Sequence, residues 1–306
     1  MDRPALYDDL AVYYDRIYAG KDYAADARRL RQIARRYLRR PGRTLLDVAC
    51  GTGRHLAEFR RHFRVEGVDV SAPMLRVARR ALGRGVPLHR ADMRSFRLGR
   101  RFDVVVCLFS AIGYLTTRRD RDRALQRFYD HVEPGGVLLV EGWVRPARWR
   151  GDGAHLQTYD GPDTKIARVT STQRSAGISR LEMHYLIGEP GRSVRHVVER
   201  HTNALVEPSD MLASFRAAGF RARVLLAGPY RDRGLYIGMR PAGGAALVLG
   251  PHRERTAVGT TSPVLLDGSS VGPAVRRAAR RTRSISRPGR GRRRAAPAAR
   301  RSRPRG

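Results

Sequence analysis

The sequence predicts an α/β fold: a seven-stranded sheet with helices on both faces, and an antiparallel β insert over the cleft at one end of the strands. Three observations predict it. A short apolar run passes through a glycine-bearing turn into a helix at residues 44–56. Further apolar runs of strand length then alternate with amphipathic segments of helical period. Between residues 142 and 206 the pattern changes to three alternating, strand-like runs joined by turns.

The chain opens with Tyr7, Leu10, Tyr13, Tyr14, Ile17 and Tyr18 at helical spacing, a break at Gly20-Lys21-Asp22-Tyr23, and an arginine-rich amphipathic helix ending before Pro41-Gly42. Most of these aromatics suit a core. There are more tyrosines than a covering helix needs, so Tyr14 and Tyr23 are expected to wall a ligand cleft.

Thr44 to Leu56 is the stretch around which the rest is organised. Leu45 to Ala49 is apolar except for Asp47, the pattern of a parallel strand covered on both faces. Gly51 and Gly53 let backbone approach a ligand that side chains would push away. Asp47, Ala49, Gly51 and Gly53 are therefore expected at a nucleotide-like ligand bound where the first strand ends. A dinucleotide site shares this pattern, but its third glycine is missing, because Arg54-His55-Leu56 follows Gly53.

A helix from about Gly53 to Arg61 leads to a second strand, Val65 to Asp69. At its carboxyl end Asp69 is placed to accept both ribose hydroxyls of a bound nucleoside. The alternative is that Asp69 or Ser71 caps the next helix, which has Pro73 in its first turn. Val70 and Met74 are expected in the same ligand site. Val86 to His89 forms a third strand, and Arg101 to Ser110 a fourth, buried one. The end of the fourth should face the reacting centre, which brings in Phe109, Ser110 and Tyr114. A helix from Asp120 to His131 ends in Val132-Glu133-Pro134-Gly135-Gly136, which turns the chain into a fifth strand, Val137 to Glu141.

The insert, about residues 143–206, holds strand-like runs at Lys165 to Gln173, Arg180 to Ile187 and Val194 to His201. A helix from Pro208 to Ala218 stops at Gly219. Arg223 to Leu226 and Leu235 to Arg240 supply the last two strands.

At 306 residues and 42% apolar composition the chain can build a proper core. The formal charge of +33 invites a nucleic-acid reading, but Lys21 and Lys165 are the only lysines among 61 basic residues. Such a bias is codon-like rather than the mark of a basic patch, so nucleic acid is expected at most through the tail. That tail, residues 241–306, carries 16 arginines against Glu254 and Asp267 and no amphipathic period. It is predicted to stay disordered, either as an anionic-surface arm or as an incidental extension. The domain boundary is placed at 240. Cys50 and Cys107 make neither a disulfide framework nor a metal spacing. With no apolar run of membrane-spanning length and no leader pattern, a soluble cytoplasmic protein is expected, with a homodimer left open.

Asp47-x-x-x-Gly-x-Gly resembles the first motif of class I S-adenosylmethionine-dependent methyltransferases. Val132-Glu133-Pro134-Gly135-Gly136 before a β run resembles a late signature of the same enzymes. With Asp69 and Asp92-Met93 in the right order between them, four features agree against the dinucleotide reading. The resemblance implies a Rossmann-like sheet and S-adenosyl-L-methionine as cofactor. It also implies that Asp92 accepts from the adenine amine while Met93 covers the ring; otherwise Asp92 is a turn former.

The resemblance narrows further. Gly20-Lys21-Asp22-Tyr23, Leu46 to Gly53, Asp92 to Arg100, Phe109 to Leu115, Arg180 to Tyr185, Val194-Arg195-His196 and Arg233-Gly234-Leu235 look like the nucleotide-amino-sugar N,N-dimethyltransferases of macrolide deoxysugar pathways, over residues 5–240. This implies a small-molecule acceptor, a thymidine-diphosphate-linked 3- or 4-amino sugar. It places Arg233 on the diphosphate and maps Tyr7 onto a substrate tyrosine. Tyr114 stands where some members have a histidine beside the sugar amine. The chain departs from the family at Glu141-Gly142-Trp143-Val144, where Glu-Pro-Trp-Trp is usual, yet Trp143 is still expected at the acceptor. Other small amines, natural-product hydroxyls, and an arginine-rich nucleic-acid-binding protein on the same scaffold stay open. Transfer requires a neutral acceptor lone pair aligned with the carbon–sulfur bond in a dry cleft. Tyr114, Glu141 or His201 could take the amine's proton, and His201 could equally be structural.

Overall fold

A computed structural model describes residues 10–242. Tyr7 and the tail from residue 243 lie outside the described residues. The main sheet runs β3-β2-β1-β4-β5-β11-β10. β1 (Thr44–Val48) is central, flanked by β2 (Arg64–Asp69) and β4 (Phe102–Cys107), with β3 (Leu88–Arg90) and β5 (Val132–Glu141) outside them, all parallel. β11 (Leu235–Met239) and β10 (Arg221–Leu225) close the far side as an antiparallel pair. After β3 the chain crosses to the other side of β1, so the strand order reverses between β1 and β4. A ligand crevice forms at the carboxyl ends of strands at such a point.

Alternation along the strands divides the core in two. Leu45, Val65, Val137, Leu139 and Ile237 pack under α2 (Tyr23–Tyr37), α3 (Arg54–Phe59) and α4 (Ala72–Leu82). Leu46, Val48, Val68, Val105, Leu138 and Val140 pack under α5 (Arg118–His131) and α6 (Pro208–Ala217). Polar caps fix the helix starts: Asp22 Oδ1 accepts from Ala25 N at 2.8 Å, Ser71 Oγ from Met74 N at 3.1 Å, and Thr117 Oγ1 from Asp120 N at 3.1 Å. No helix among the described residues is long and apolar enough to cross a membrane.

The insert is a separate four-stranded antiparallel sheet, β6-β7-β8-β9, rather than the three strands expected. The added strand is β6 (Gly153–Asp160), ahead of β7 (Lys165–Ser175), β8 (Ile178–Gly188) and β9 (Arg195–Ala204). β6 escaped because its polarity is inverted. Gln157 on one side bonds Ile17 O and Arg168, whereas Leu156 on the other is 69% exposed. β5 also starts earlier than expected, at Val132, with the Pro-Gly-Gly segment inside it as an irregularity in the pairing with β4.

α1 (Ala11–Ile17) packs on the inner face of the insert, where Leu10, Tyr13 and Ile17 meet Ile166, Leu181, Met183 and Tyr185. Polar contacts fix it at both ends. Tyr13 Oη donates to Glu189 Oε1 at 3.0 Å and accepts from Arg195 Nη2 at 3.1 Å, while Arg168 Nη1 donates to Tyr18 Oη at 3.1 Å. On its other side Thr52 Oγ1 donates to Asp15 Oδ1 at 2.7 Å. The first helix thus joins the glycine turn to the insert.

Candidate active site

The turn after β1 departs from ordinary backbone at three places: Ala49 at φ +61°, Gly51 at +54° and Gly53 at +76°. Gly53 is required twice over, since a Cβ there would also come within 2.7 Å of Leu82 Cδ1 on α4. At Gly51 a Cβ would meet nothing within 4 Å, so this stretch of backbone is bare toward the crevice. Asp69 braces the turn. Its Oδ2 accepts from Gly51 N at 2.8 Å and its Oδ1 from Ser71 N at 2.8 Å. The capping of α4 falls to Ser71, which leaves Asp69 as the link between the two βα turns.

A small cavity of about 40 Å³ opens on this turn, lined by Asp47, Ala49, Gly51, Tyr14, Tyr23 and Phe109 among others. Asp47 is 2% exposed. Burial, with the nearby Asp69 charge adding to it, pushes its carboxyl well above the usual carboxylate range. A carboxyl buried at the wall of a cavity can accept a cationic group. Outside it, at the end of β2, Val70 is 49% exposed beside Asp69 and offers apolar surface at the crevice.

A second cavity, of about 430 Å³, lies between α1, the ends of β4 and β5, and the inner face of the insert. Tyr14 and Phe109 line both cavities and form the wall between them. Burial, followed by the neighbouring Tyr18 and Tyr23, pushes the Tyr14 phenol well above its ordinary value. Phe109 and Ser110 are consecutive non-glycine residues at φ +52° and +63°. Such conformations cost about 1–3 kcal/mol each and persist only when neighbours impose them. Here Phe109 N donates to Glu141 Oε2 at 2.9 Å, and Ser110 Oγ donates to Gly142 O at 2.7 Å.

Three groups edge the larger cavity. Tyr114 Oη lies 2.8 Å from His201 Nδ1, and His201 Nε2 lies 3.2 Å from Glu199 Oε2. Trp143 Nε1 donates to Ser179 Oγ at 2.8 Å. Arg233 Nη1 donates to Glu141 Oε1 at 3.1 Å and its guanidinium stands 5.8 Å from the Trp143 ring, while Arg148 Nε meets Asp232 Oδ1 at 3.0 Å. This edge is cationic.

Other expected residues are engaged by protein groups or lie apart from the cavities. Both oxygens of Glu141 are taken, Oε2 by the Phe109 amide and Oε1 by Arg233. Asp92 is engaged by Arg94, through Nε at 3.0 Å and Nη2 at 2.6 Å as well as the Arg94 amide. That Arg94 pairing, against the opposing effect of burial, holds the Asp92 carboxyl below the usual range. An adenine amine would have to share it. Met74, on α4, is 1% exposed and is not among the residues lining either cavity. Met93 is half-buried against the α5 side of the core. Gly53 serves packing and conformation, as described. The remaining expected residues, Tyr14, Tyr23, Asp47, Ala49, Gly51, Phe109, Ser110, Tyr114, Trp143, His201 and Arg233, line one or both cavities.

Sequence reasoning missed Glu199, Arg168, Asp15 and Lys21. Lys21 ion-pairs with Asp26 and lies 5.2 Å from the centroid of the Phe109 ring, which lines both cavities. Its signal was available, as one of two lysines in an arginine-rich chain. Glu199 and His201 also carried one, the two-residue spacing that puts both on one face of a strand.

A family model described as a methyltransferase domain matches residues 45–136. The dTDP-3-amino-3,4,6-trideoxy-alpha-D-glucopyranose N,N-dimethyltransferase of Streptomyces venezuelae is 40% identical over 235 residues, 76% of this chain and 98% of that protein. The crystal structure of DesVI from Streptomyces venezuelae superposes with a TM-score of 0.71 at 39% identity, covering 76% of this chain and 98% of the other. The S-adenosylmethionine-bound structure of CalS10, an amino pentose methyltransferase from Micromonospora echinaspora involved in calicheamicin biosynthesis, gives 0.67 at 33% identity, covering 74% and 96%.

Proposed function

The chain belongs to the nucleotide amino-sugar N,N-dimethyltransferase family of S-adenosylmethionine-dependent methyltransferases, and from that premise we propose that its acceptor is the amine of a nucleoside-diphosphate-linked amino sugar. S-adenosylmethionine supplies a methyl group already activated on a sulfonium. The protein's own work is then to bind, align and keep dry. Asp47 and the bare Gly51 backbone are assigned to the donor's amino-acid end, and Asp69 to its ribose. The larger cavity is assigned to the acceptor. The observation that carries this reading is the shared wall: Tyr14 and Phe109 border both cavities, so a group passing from one to the other passes between these rings. Their π faces suit a cationic sulfonium and an amine alike.

The cationic edge at Arg233, Arg148 and Trp143 supports a diphosphate and a base as the rest of the acceptor. A planar guanidinium matches phosphate oxygens in two-point bonds, which a lysine does not. Arg233→Ala is expected to raise KM for a thymidine-diphosphate amino sugar by the equivalent of about 1.5–3 kcal/mol, roughly 10- to 150-fold. Cofactor affinity and kcat should change little. Steady-state kinetics on the nucleotide sugar and on the same amino sugar without its nucleotide tests this. Equal KM values for the two in the wild type would remove the diphosphate from the account. Residues 241–306 are read as lying outside the catalytic unit, since the last strand of the sheet ends at Met239. The cytoplasm is the compartment this reading assigns, and Cys50 and Cys107 are both free and buried.

A further inference from the structure

We propose that Tyr114, His201 and Glu199 form one proton relay that deprotonates the acceptor ammonium, with Tyr114 as the group that touches the substrate and Glu199 as a positioning residue. The proposal rests on the amine-acceptor reading above for its substrate, but the relay itself is read from the chain's own contacts.

Glu199 is 2% exposed on the inner face of β9, and its Oε1 is buried without a hydrogen-bond partner among the described residues. Its Oε2 faces His201 Nε2 at 3.2 Å. A buried carboxylate with half its accepting capacity unused is costly if its partner is a neutral imidazole. It is well matched to an imidazole that becomes a cation for part of a cycle. An ionised carboxylate only accepts, so it fixes the imidazole proton on Nε2 and leaves Nδ1 as an acceptor. Nδ1 lies 2.8 Å from Tyr114 Oη, so the Tyr114 hydroxyl proton points at the ring. Tyr114 lines the larger cavity, in the 3-10 turn Ala111–Tyr114 that follows the strained Phe109-Ser110 pair.

The step balances as follows. The acceptor ammonium gives a proton to Tyr114 Oη while the Tyr114 hydroxyl proton passes to His201 Nδ1. The nitrogen keeps the N–H bonding pair as its lone pair, Tyr114 stays neutral, and the positive charge moves onto the imidazole beside Glu199. After each methyl transfer the amine again carries an extra proton, so two additions need the relay to discharge to solvent and act twice.

Other titratable groups among the described residues also face this chain of contacts. Tyr185 on β8 is held up by burial and then by the Glu199 charge; Arg168 on β7 stands over Tyr185 at 6.0 Å. Tyr14 on α1 and Tyr18 at its C-terminal end stand nearby, with Tyr14 close enough to feel Tyr114.

The test uses the full chain labelled with 15N in its histidine rings, followed by NMR against pH, together with pH profiles of kcat for the wild type, Tyr114→Phe and Glu199→Gln. In the wild type His201 should carry its proton on Nε2 when neutral. Glu199→Gln should lower the His201 titration midpoint and move the acid limb of kcat to lower pH with a reduced plateau. Tyr114→Phe should lower kcat about 10²-fold, the usual scale of a general-base contribution, with KM little changed. A His201 proton on Nδ1, an unmoved midpoint and limb in folded Glu199→Gln, or wild-type kcat in Tyr114→Phe would each overturn the relay. If Glu199→Gln does not fold, the wild-type tautomer and Tyr114→Phe still decide. If the wild type methylates no amino sugar at all, the acceptor reading fails, and the tautomer and its response to Glu199→Gln still report on the relay separately.

Discussion

Asp69→Ala is expected to weaken S-adenosylhomocysteine binding by about 2–4 kcal/mol, roughly 30- to 1,000-fold, and to lower the melting temperature as well. Both effects come from the same bonds. Removing the carboxylate takes the Asp69 acceptor from Gly51 N and from Ser71 N, and the Ser71 bond is the buried one, where an unsatisfied group costs about 1–3 kcal/mol. The turn that presents Gly51 to the crevice then loses the brace tying it to the next βα turn, in addition to any bond made to the ribose. Calorimetric titration and thermal unfolding on the same preparation measure the two together. Wild-type affinity in a folded Asp69→Ala protein would remove Asp69 from the cofactor site.

Asp47→Asn is expected to separate the two quantities, with binding falling by about 1.5–3 kcal/mol while the free protein becomes more stable. The sign follows from the direction of the shift. Asp47 is raised above its unfolded value, so the folded state binds the proton more tightly. Its contribution to stability is full below the unfolded pKa, near 4, and is lost as pH rises through the folded value. The wild type without ligand should therefore lose stability across that window, and Asp47→Asn should lack that part of the slope. A ligand ammonium reverses the balance, because it favours the ionised carboxylate. Binding to the wild type should release protons below the folded pKa, visible as a dependence of the calorimetric heat on buffer ionisation. No stability gain at neutral pH in Asp47→Asn, or no proton release, would contradict this assignment.

The contrast between these two aspartates bears on what the sequence could reveal. Strand β1, its glycine turn and the acidic end of β2 were legible because local chemistry dictates them: β-region residues buried on both faces, then positive φ, then a carboxylate within reach of bare amides. β6 was not, since an edge strand with polar side chains inward and Leu156 outward inverts the alternation by which strands are recognised. Asp92 was placed by order along the chain, and its capture by Arg94 two residues on depends on side-chain geometry that spacing does not encode. The engagement of Glu141 was hidden for the same reason, because Arg233 and the Phe109 amide reach it from 92 and 32 residues away. The relay needed β9 to be set against the turn after β4, a pairing of distant segments that no local pattern announces.

The central claim is that this chain transfers methyl groups from S-adenosylmethionine to the amine of a nucleotide-linked amino sugar. The measurement that bears on it most directly is mass-resolved turnover by the full chain with thymidine-diphosphate 3- and 4-amino sugars, small free amines and phenolic natural products offered in parallel. Two successive additions of one methyl each to a nucleotide-linked amino sugar, with none on the hydroxyls, is the result expected. Turnover of a free amine or a hydroxyl with the nucleotide sugars untouched would contradict it.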